Sequence, residues 1–70
     1  MRSRIAGEFE GWSGATRFEL ENGQVWQQRY QTTWRTSLEN PEVVITRHFL
    51  GLHRMEVVGT GQSVPVRRIK

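Results

Sequence analysis

The two histidines are the side chains of this 70-residue chain best suited to bind a metal or transfer a proton. His48 and His53 are five residues apart, and Glu56 is the carboxylate nearest to them in the sequence. A zinc site takes three or four ligands from histidine, cysteine or carboxylate, and the chain contains no cysteine. We therefore predict no metal site and no cofactor, and we expect the histidines to lie exposed on a loop and a strand.

The acidic residues are all glutamates, and four of the seven form two pairs that alternate with apolar side chains. This alternation places both pairs on the outer, wet face of a strand, whereas a general acid needs a desolvated cleft. We expect these glutamates to pair across strands with Arg17 or Arg29. No serine has a neighbouring base and no glycine motif matches a nucleotide-binding fingerprint, so we predict that the chain is not an enzyme. The pairs are Glu8 with Glu10 and Glu19 with Glu21.

The basic residues favour recognition of phosphate or carboxylate groups. Nine of the ten are arginines, and the formal net charge of the chain is +3. A guanidinium group binds two oxygens of a phosphate or carboxylate at once, so the composition is compatible with a nucleic-acid partner. A GC-rich genome would produce the same preference for arginine without selection for binding.

Aromatic and basic side chains meet in the stretch from Tyr30 to Arg35, which we predict to be part of a binding surface. Aromatic rings beside arginines hold single-stranded nucleic acid by stacking on its bases. The same groups could instead form a groove for a proline-rich peptide, or the three tryptophans could simply fill the core. We expect Trp26 in the core and one exposed ring face on Trp12 and on Trp34. The candidate site comprises Arg29, Tyr30, Trp34, Arg35, Arg47, His48, His53 and Arg54.

The elements that position these side chains are predicted to be short β-strands. Valine, threonine and aromatic residues are frequent, and seven glycines and two prolines divide the chain. The strongest signal is a hairpin in which Asn22-Gly23 forms a type I′ turn with positive φ at both residues. Residues 31–37 either extend the third strand or form a loop, and a short helical turn is possible there or at 48–51. The six predicted strands are residues 5–12, 16–20, 24–30, 43–47, 52–58 and 63–69.

Five or six short strands in one domain, residues 1–70, predict an all-β, small and partly open barrel. A Src-homology-3-like or Sm-like barrel fits the strand count best, and an oligonucleotide-binding barrel is the alternative. Gly11 is expected to allow a bend or bulge. Pro65 cannot donate a backbone hydrogen bond, so its strand should be at an edge or lack a partner there. An exposed edge strand could also join two copies of the chain into a homo-oligomer.

The run Asn22-Gly23-Gln24-Val25-Trp26-Gln27-Gln28, with Gly7 to Trp12 before it, resembles a group of small, uncharacterised bacterial proteins with a Src-homology-3-like or Sm-like barrel. The resemblance implies the fold and carries no activity. RNA-binding Sm proteins have an aspartate in a first motif and an Arg-Gly pair in a second. This chain has no aspartate, and Ile69 follows Arg68, so the similarity to them is one of architecture.

The sequence thus predicts a non-enzymatic binding module whose preferred partner is single-stranded nucleic acid. The alternative is a protein- or peptide-interaction module, either envelope-associated or self-associating. Residues 1–9 lack the apolar region of a secretory signal, so we expect a cytoplasmic protein, although members of the resembling group often carry an export signal. No apolar run approaches the roughly 20 residues of a membrane span.

Overall fold

The chain forms eight short strands and one turn of 3-10 helix, at Phe49–Gly51. The computed structural model describes residues 1–70, and for Phe49 the backbone alone. Among these residues there is no helix with the length and apolar character that a membrane crossing requires. The strands are β1 (Arg2–Arg4), β2 (Glu8–Ser13), β3 (Arg17–Glu19), β4 (Val25–Gln28), β5 (Thr33–Glu39), β6 (Glu42–Arg47), β7 (His53–Val57) and β8 (Gln62–Arg68).

Two antiparallel sheets make up the barrel. Six strands pair in the order β1-β6-β7-β8-β4-β3, and β2 pairs with β5 in a separate ribbon. The predicted fold class, an all-β small and partly open barrel, is confirmed. There are two more strands than predicted, because β1 forms before the segment 5–12 and β5 forms in the segment whose structure the sequence left open. Ile5 forms only an isolated bridge to Leu20, with β1 before it and β2 after it. Residues 31–37 fall largely within β5, a strand of its own.

The core lies between the two sheets and consists of apolar residues at alternate strand positions. Trp26 is buried, as predicted, together with Phe9 and Phe18. The prediction of an exposed ring face on Trp12 is wrong, because Trp12 is only 3% exposed and its ring contacts those of Phe9 and Trp34. The other buried apolar residues are Ile5, Leu20, Val43, Ile45, Met55, Val57, Val64 and Val66.

The hairpin between β3 and β4 is confirmed, but its turn is not of type I′. Asn22 does not have a positive φ, whereas Gly23 has a φ of +90°. The amide of Gly23 donates to the carbonyl of Leu20, and the amide of Leu20 donates to the carbonyl of Gln24. These bonds define a three-residue loop, in which a type I turn is followed by a left-handed glycine bulge. The Asn22 side chain supports it by accepting a hydrogen bond from the Gln24 amide at 2.9 Å.

Gly11 and Pro65 behave as expected from their backbone properties. The β2–β5 register shifts between Phe9 and Gly11, and Gly11 has a φ of +98°. Pro65 does not lie on an edge strand, because β8 has a neighbour on each side, but β4 ends opposite Val66, the residue that follows Pro65. The proline nitrogen therefore meets no strand partner there, while the Pro65 carbonyl accepts a hydrogen bond from the backbone amide of Arg29 at 2.9 Å.

The glutamate pairs lie exposed on the strand surfaces, as predicted. Their expected ion pairs with Arg17 or Arg29 do not form. Among the side chains that the structure describes, the ion pair is between Arg2 and Glu42, 3.0 Å apart. Glu8 lies opposite Glu39 in the β2–β5 ribbon, a position at which an arginine would be needed to make a cross-strand ion pair.

Candidate functional site

A pocket of about 170 Å³ lies where β4, β7 and β8 end near the β6–β7 loop. We call it the Tyr30 pocket, because the Tyr30 side chain is 60% exposed beside it. Leu52 and Pro65 give it an apolar floor, and arginines and histidines form its rim. Its lining residues are Arg29, Tyr30, His48, Leu52, His53, Arg54 and Pro65.

A buried glutamine fixes the backbone that carries Tyr30. Gln28 is the last residue of β4 and follows Trp26 on the inward-facing side of the strand, where it is only 4% exposed. Its Nε2 atom donates to the carbonyls of Tyr30 and Thr32 at 2.8 and 2.9 Å, and its Oε1 atom accepts from the Gly14 amide at 2.9 Å. Because every polar atom of this buried amide has a partner, residues 30–32 are held in place while the tyrosine ring stays exposed.

The strand register sets the other side chains of the Tyr30 pocket. Arg54 lies on the outer face of β7, where its Nε atom donates to Ser63 Oγ at 2.8 Å. His53 alternates with Arg54 and so turns toward the barrel end, where its ring centroid is 5.0 Å from that of Trp26. The His48 amide donates to the carbonyl of Leu52 at 2.6 Å, which closes the loop above the pocket.

Two shallower hollows adjoin the Tyr30 pocket. We call one the glutamine hollow, because Gln27, Gln28 and Gln31 line it, and the other the N-terminal hollow, because Met1 lines it. The glutamine hollow shares Arg29 with the Tyr30 pocket, and the N-terminal hollow shares His53 with it. In the glutamine hollow, Arg67 Nη2 donates to Gln27 Oε1 at 3.1 Å, so the two side chains form one polar surface. The glutamine hollow is lined by Gly14, Ala15, Gln27, Gln28, Arg29, Gln31 and Arg67. The N-terminal hollow is lined by Met1, Gln24, Trp26, Ile45, Arg47, His53 and Arg68.

Positive charge is concentrated along these three depressions. Five arginines line them, and none of the lining residues is a glutamate. Glutamates instead line the depressions beside β2, which contain Glu8, Glu10 and Glu19. A concave surface with charges of one sign and low-dielectric walls focuses the electric field and attracts the opposite charge. The arginines are Arg29, Arg47, Arg54, Arg67 and Arg68.

The structure brings five of the eight predicted site residues together in the Tyr30 pocket and separates the other three. Arg47 lines the adjoining N-terminal hollow. Arg35 lies beside Glu10 in a different depression. Trp34 is half-buried and packs on the core, with its ring centroid 4.8 Å from that of Trp12. The five residues in the pocket are Arg29, Tyr30, His48, His53 and Arg54.

Several lining residues were missed by the sequence analysis. Leu52 and Pro65 form the pocket floor, and Arg67 and Arg68 belong to the hollows. The position of Gln28 did carry a signal, since a polar residue two positions after a buried tryptophan in a strand faces the core and needs internal partners. Arg67 carried no local signal, because it reaches Gln27 only through the pairing of β4 with β8.

The side chains of the Tyr30 pocket supply guanidinium donors, an exposed aromatic face and an apolar floor. This combination can hold an anionic group beside a flat ring. Among the described residues, no three histidine, aspartate or glutamate side chains come together as a metal-binding group. In comparisons with known proteins, no family model, no curated protein and no solved structure matches the chain.

Proposed function

We propose that this chain is a non-enzymatic module that binds single-stranded nucleic acid across the Tyr30 pocket and the glutamine hollow. The observation that carries the proposal is the exposed Tyr30 side chain in a pocket that Arg29 and Arg54 also line, with no carboxylate among its lining residues. A single strand presents flat bases and a phosphate chain together, and proteins hold it with aromatic platforms inside positively charged grooves.

The binding mode follows from the order of the groups. Arg54, Arg29 and Arg67 succeed one another from the Tyr30 pocket into the glutamine hollow, and all three are exposed. We assign them to successive phosphates. One base stacks on Tyr30 above the apolar floor, and the amide of Gln31 is placed to hydrogen-bond an adjacent base or sugar.

The finer architecture belongs to the same proposal. We assign the barrel to the Src-homology-3-like or Sm-like type, because its short antiparallel strands and the bulge at Gly11 suit a small barrel with strong curvature. A nucleic-acid partner is consistent with the cytoplasmic location expected from the sequence.

The alternatives have less support. A peptide-binding module would be favoured by an apolar groove between Trp12 and Trp34, but Trp12 is buried and the two rings pack on each other. An enzyme would place a carboxylate beside the histidines, yet Glu56 is absent from the Tyr30 pocket lining. Self-association through an edge strand stays a prediction. The strands with a single partner are β1 and β3 at the edges of the six-stranded sheet, and β2 and β5 in the ribbon.

The test is fluorescence anisotropy with labelled single-stranded DNA and RNA decamers at low and moderate salt. We expect dissociation constants of about micromolar order at low salt, with a log–log salt slope of about −2, since each single-strand phosphate contact contributes about −0.7. Arg29→Ala and Arg54→Ala should each reduce the slope by about 0.7. Tyr30→Ala should weaken binding about five- to hundredfold while leaving the slope unchanged.

Arg35→Ala is the matched control, because it removes the same charge from an exposed position outside the three depressions. Its affinity should stay close to that of the unmodified chain. The proposal fails if the chain does not bind either strand at low salt, and this result would favour the protein-interaction alternative. It also fails if Arg35→Ala weakens binding as much as Arg29→Ala.

A further inference from the structure

Exposed apolar side chains gather at the end of the barrel that holds the N-terminal hollow. Leu50 is 82% exposed, and Leu52 and Met1 are also exposed. Leu50 and Leu52 belong to the β6–β7 loop, and Met1 lines the N-terminal hollow beside Arg47. Val58 is also apolar and exposed, but it lies in the turn between β7 and β8, at the opposite end of β7 from Leu50 and Leu52. Single-stranded nucleic acid offers aliphatic side chains such as Leu50 little to bind.

The conformation of Leu50 adds a cost to its exposure. Its φ of +69° and ψ of 16° lie in the left-handed region, which is strained for leucine and acceptable for glycine or asparagine. The loop is held in this shape because the amide of Gly51 donates to the carbonyl of His48 at 3.1 Å. A strained leucine with this exposure is unfavourable in the free protein, and strain of this kind is found where a segment takes part in binding.

Cations surround this apolar tip. Arg47 and Arg54 flank the loop in the sequence, and no acidic residue lies between Glu42 and Glu56. Glu42 is already paired with Arg2. A Cβ atom placed on Gly51 would lie 3.9 Å from the Arg47 guanidinium, so this charge sits directly beside the tip.

We propose that this end of the barrel docks on an anionic lipid bilayer. Leu50 and Leu52 enter the boundary between headgroups and acyl chains, and Arg47, Arg54 and Arg68 contact headgroup phosphates. The combination of an apolar element and nearby cations is the chemistry by which interfacial proteins bind such membranes. Two inserted leucines support weak and reversible docking. The docking surface shares Leu52 and Arg54 with the Tyr30 pocket, whereas Leu50 lines none of the three depressions and therefore distinguishes lipid docking from the proposed function.

Cosedimentation with vesicles of phosphatidylcholine and phosphatidylglycerol, at a ratio of about 7:3, tests this proposal against vesicles of phosphatidylcholine alone. The intact chain should sediment with the anionic vesicles and not with the neutral ones. Leu50→Asn should reduce this binding about tenfold, the lower end of the effect of burying a leucine side chain. The variant is expected to fold, because asparagine tolerates the left-handed conformation. Val58→Asn removes an exposed apolar side chain from the opposite end and should bind as the intact chain does.

Four results would overturn the docking proposal. These are no binding to anionic vesicles, equal binding to neutral vesicles, equal binding by Leu50→Asn, and an equal loss in Val58→Asn. The anisotropy assay separates the two proposals. If Leu50→Asn weakens binding to single-stranded DNA but not to vesicles, the loop belongs to the nucleic-acid site and the lipid inference is wrong. If DNA binding is absent while vesicle binding depends on Leu50, only the proposed function fails.

Discussion

Replacing Gln28 with methionine should destabilise the barrel and also weaken the candidate site. Methionine has nearly the same length and volume as glutamine, so the substitution removes the hydrogen bonds without leaving a large cavity. The bonds lost are those to the carbonyls of Tyr30 and Thr32 and to the Gly14 amide. Because Gln28 joins the segment after β4 to the turn between β2 and β3, the substitution also removes the anchor of residues 30–32.

The expected loss of stability follows from the three short hydrogen bonds of the Gln28 side chain. A buried polar group that loses its partner costs about 1–3 kcal/mol, and the lower value applies here because Tyr30 and Thr32 are exposed enough for water to replace the amide. The methionine recovers part of this cost, since an apolar group is easier to bury than an amide. We expect a net loss of about 2–3 kcal/mol, out of a stability of about 4–10 kcal/mol for a chain of this length. The melting temperature should fall by roughly 10–20 °C.

Gln27→Met is the matched control, because Gln27 is the adjacent residue of β4 and its side chain makes only exposed hydrogen bonds. Its stability should change by less than about 0.5 kcal/mol. Urea unfolding followed by tryptophan fluorescence measures both variants. In the anisotropy assay, Gln28→Met should bind single-stranded DNA more weakly at a temperature where it is fully folded, since residues 30–32 must then be ordered on binding. Equal unfolding midpoints for the two variants would refute the hydrogen-bond argument.

Two further substitutions test the core. Gly11→Ala and Gly23→Ala both add strain at a positive φ. Gly11→Ala should destabilise the chain by about 2 kcal/mol more, because only its methyl group would overlap the carbonyl of Trp34. Similar urea midpoints for the two alanine variants would show that β5 moves aside easily. Trp26→Ala should cost about 3–5 kcal/mol as a buried aromatic residue, and an unchanged unfolding midpoint would contradict its place in the core.

The features that sequence predicted well are local ones. The β3–β4 hairpin follows from alternation between Thr16 and Leu20 and from the glycine at position 23. The bulge at Gly11 follows from a glycine inside a strand pattern. The turn type was wrong because an Asn-Gly pair is compatible with two loops, and the hydrogen bond from the Leu20 amide to Gln24 selects the three-residue loop. That choice depends on strand twist and length, which the dipeptide does not encode.

The candidate site was predicted only in part because its residues meet through pairing between distant strands. Tyr30 and Trp34 are four residues apart, yet the chain changes sheets between β4 and β5, so one ring is exposed and the other packs on the core. Arg67 reaches Gln27 across 40 residues because β8 pairs with β4. A contiguous stretch of aromatic and basic residues is therefore a poor guide to a surface in a small barrel. The register between strands decides which arginines share a face. In this chain it places Arg29 and Arg54 in one pocket with Tyr30, while Trp34 lies apart from that pocket.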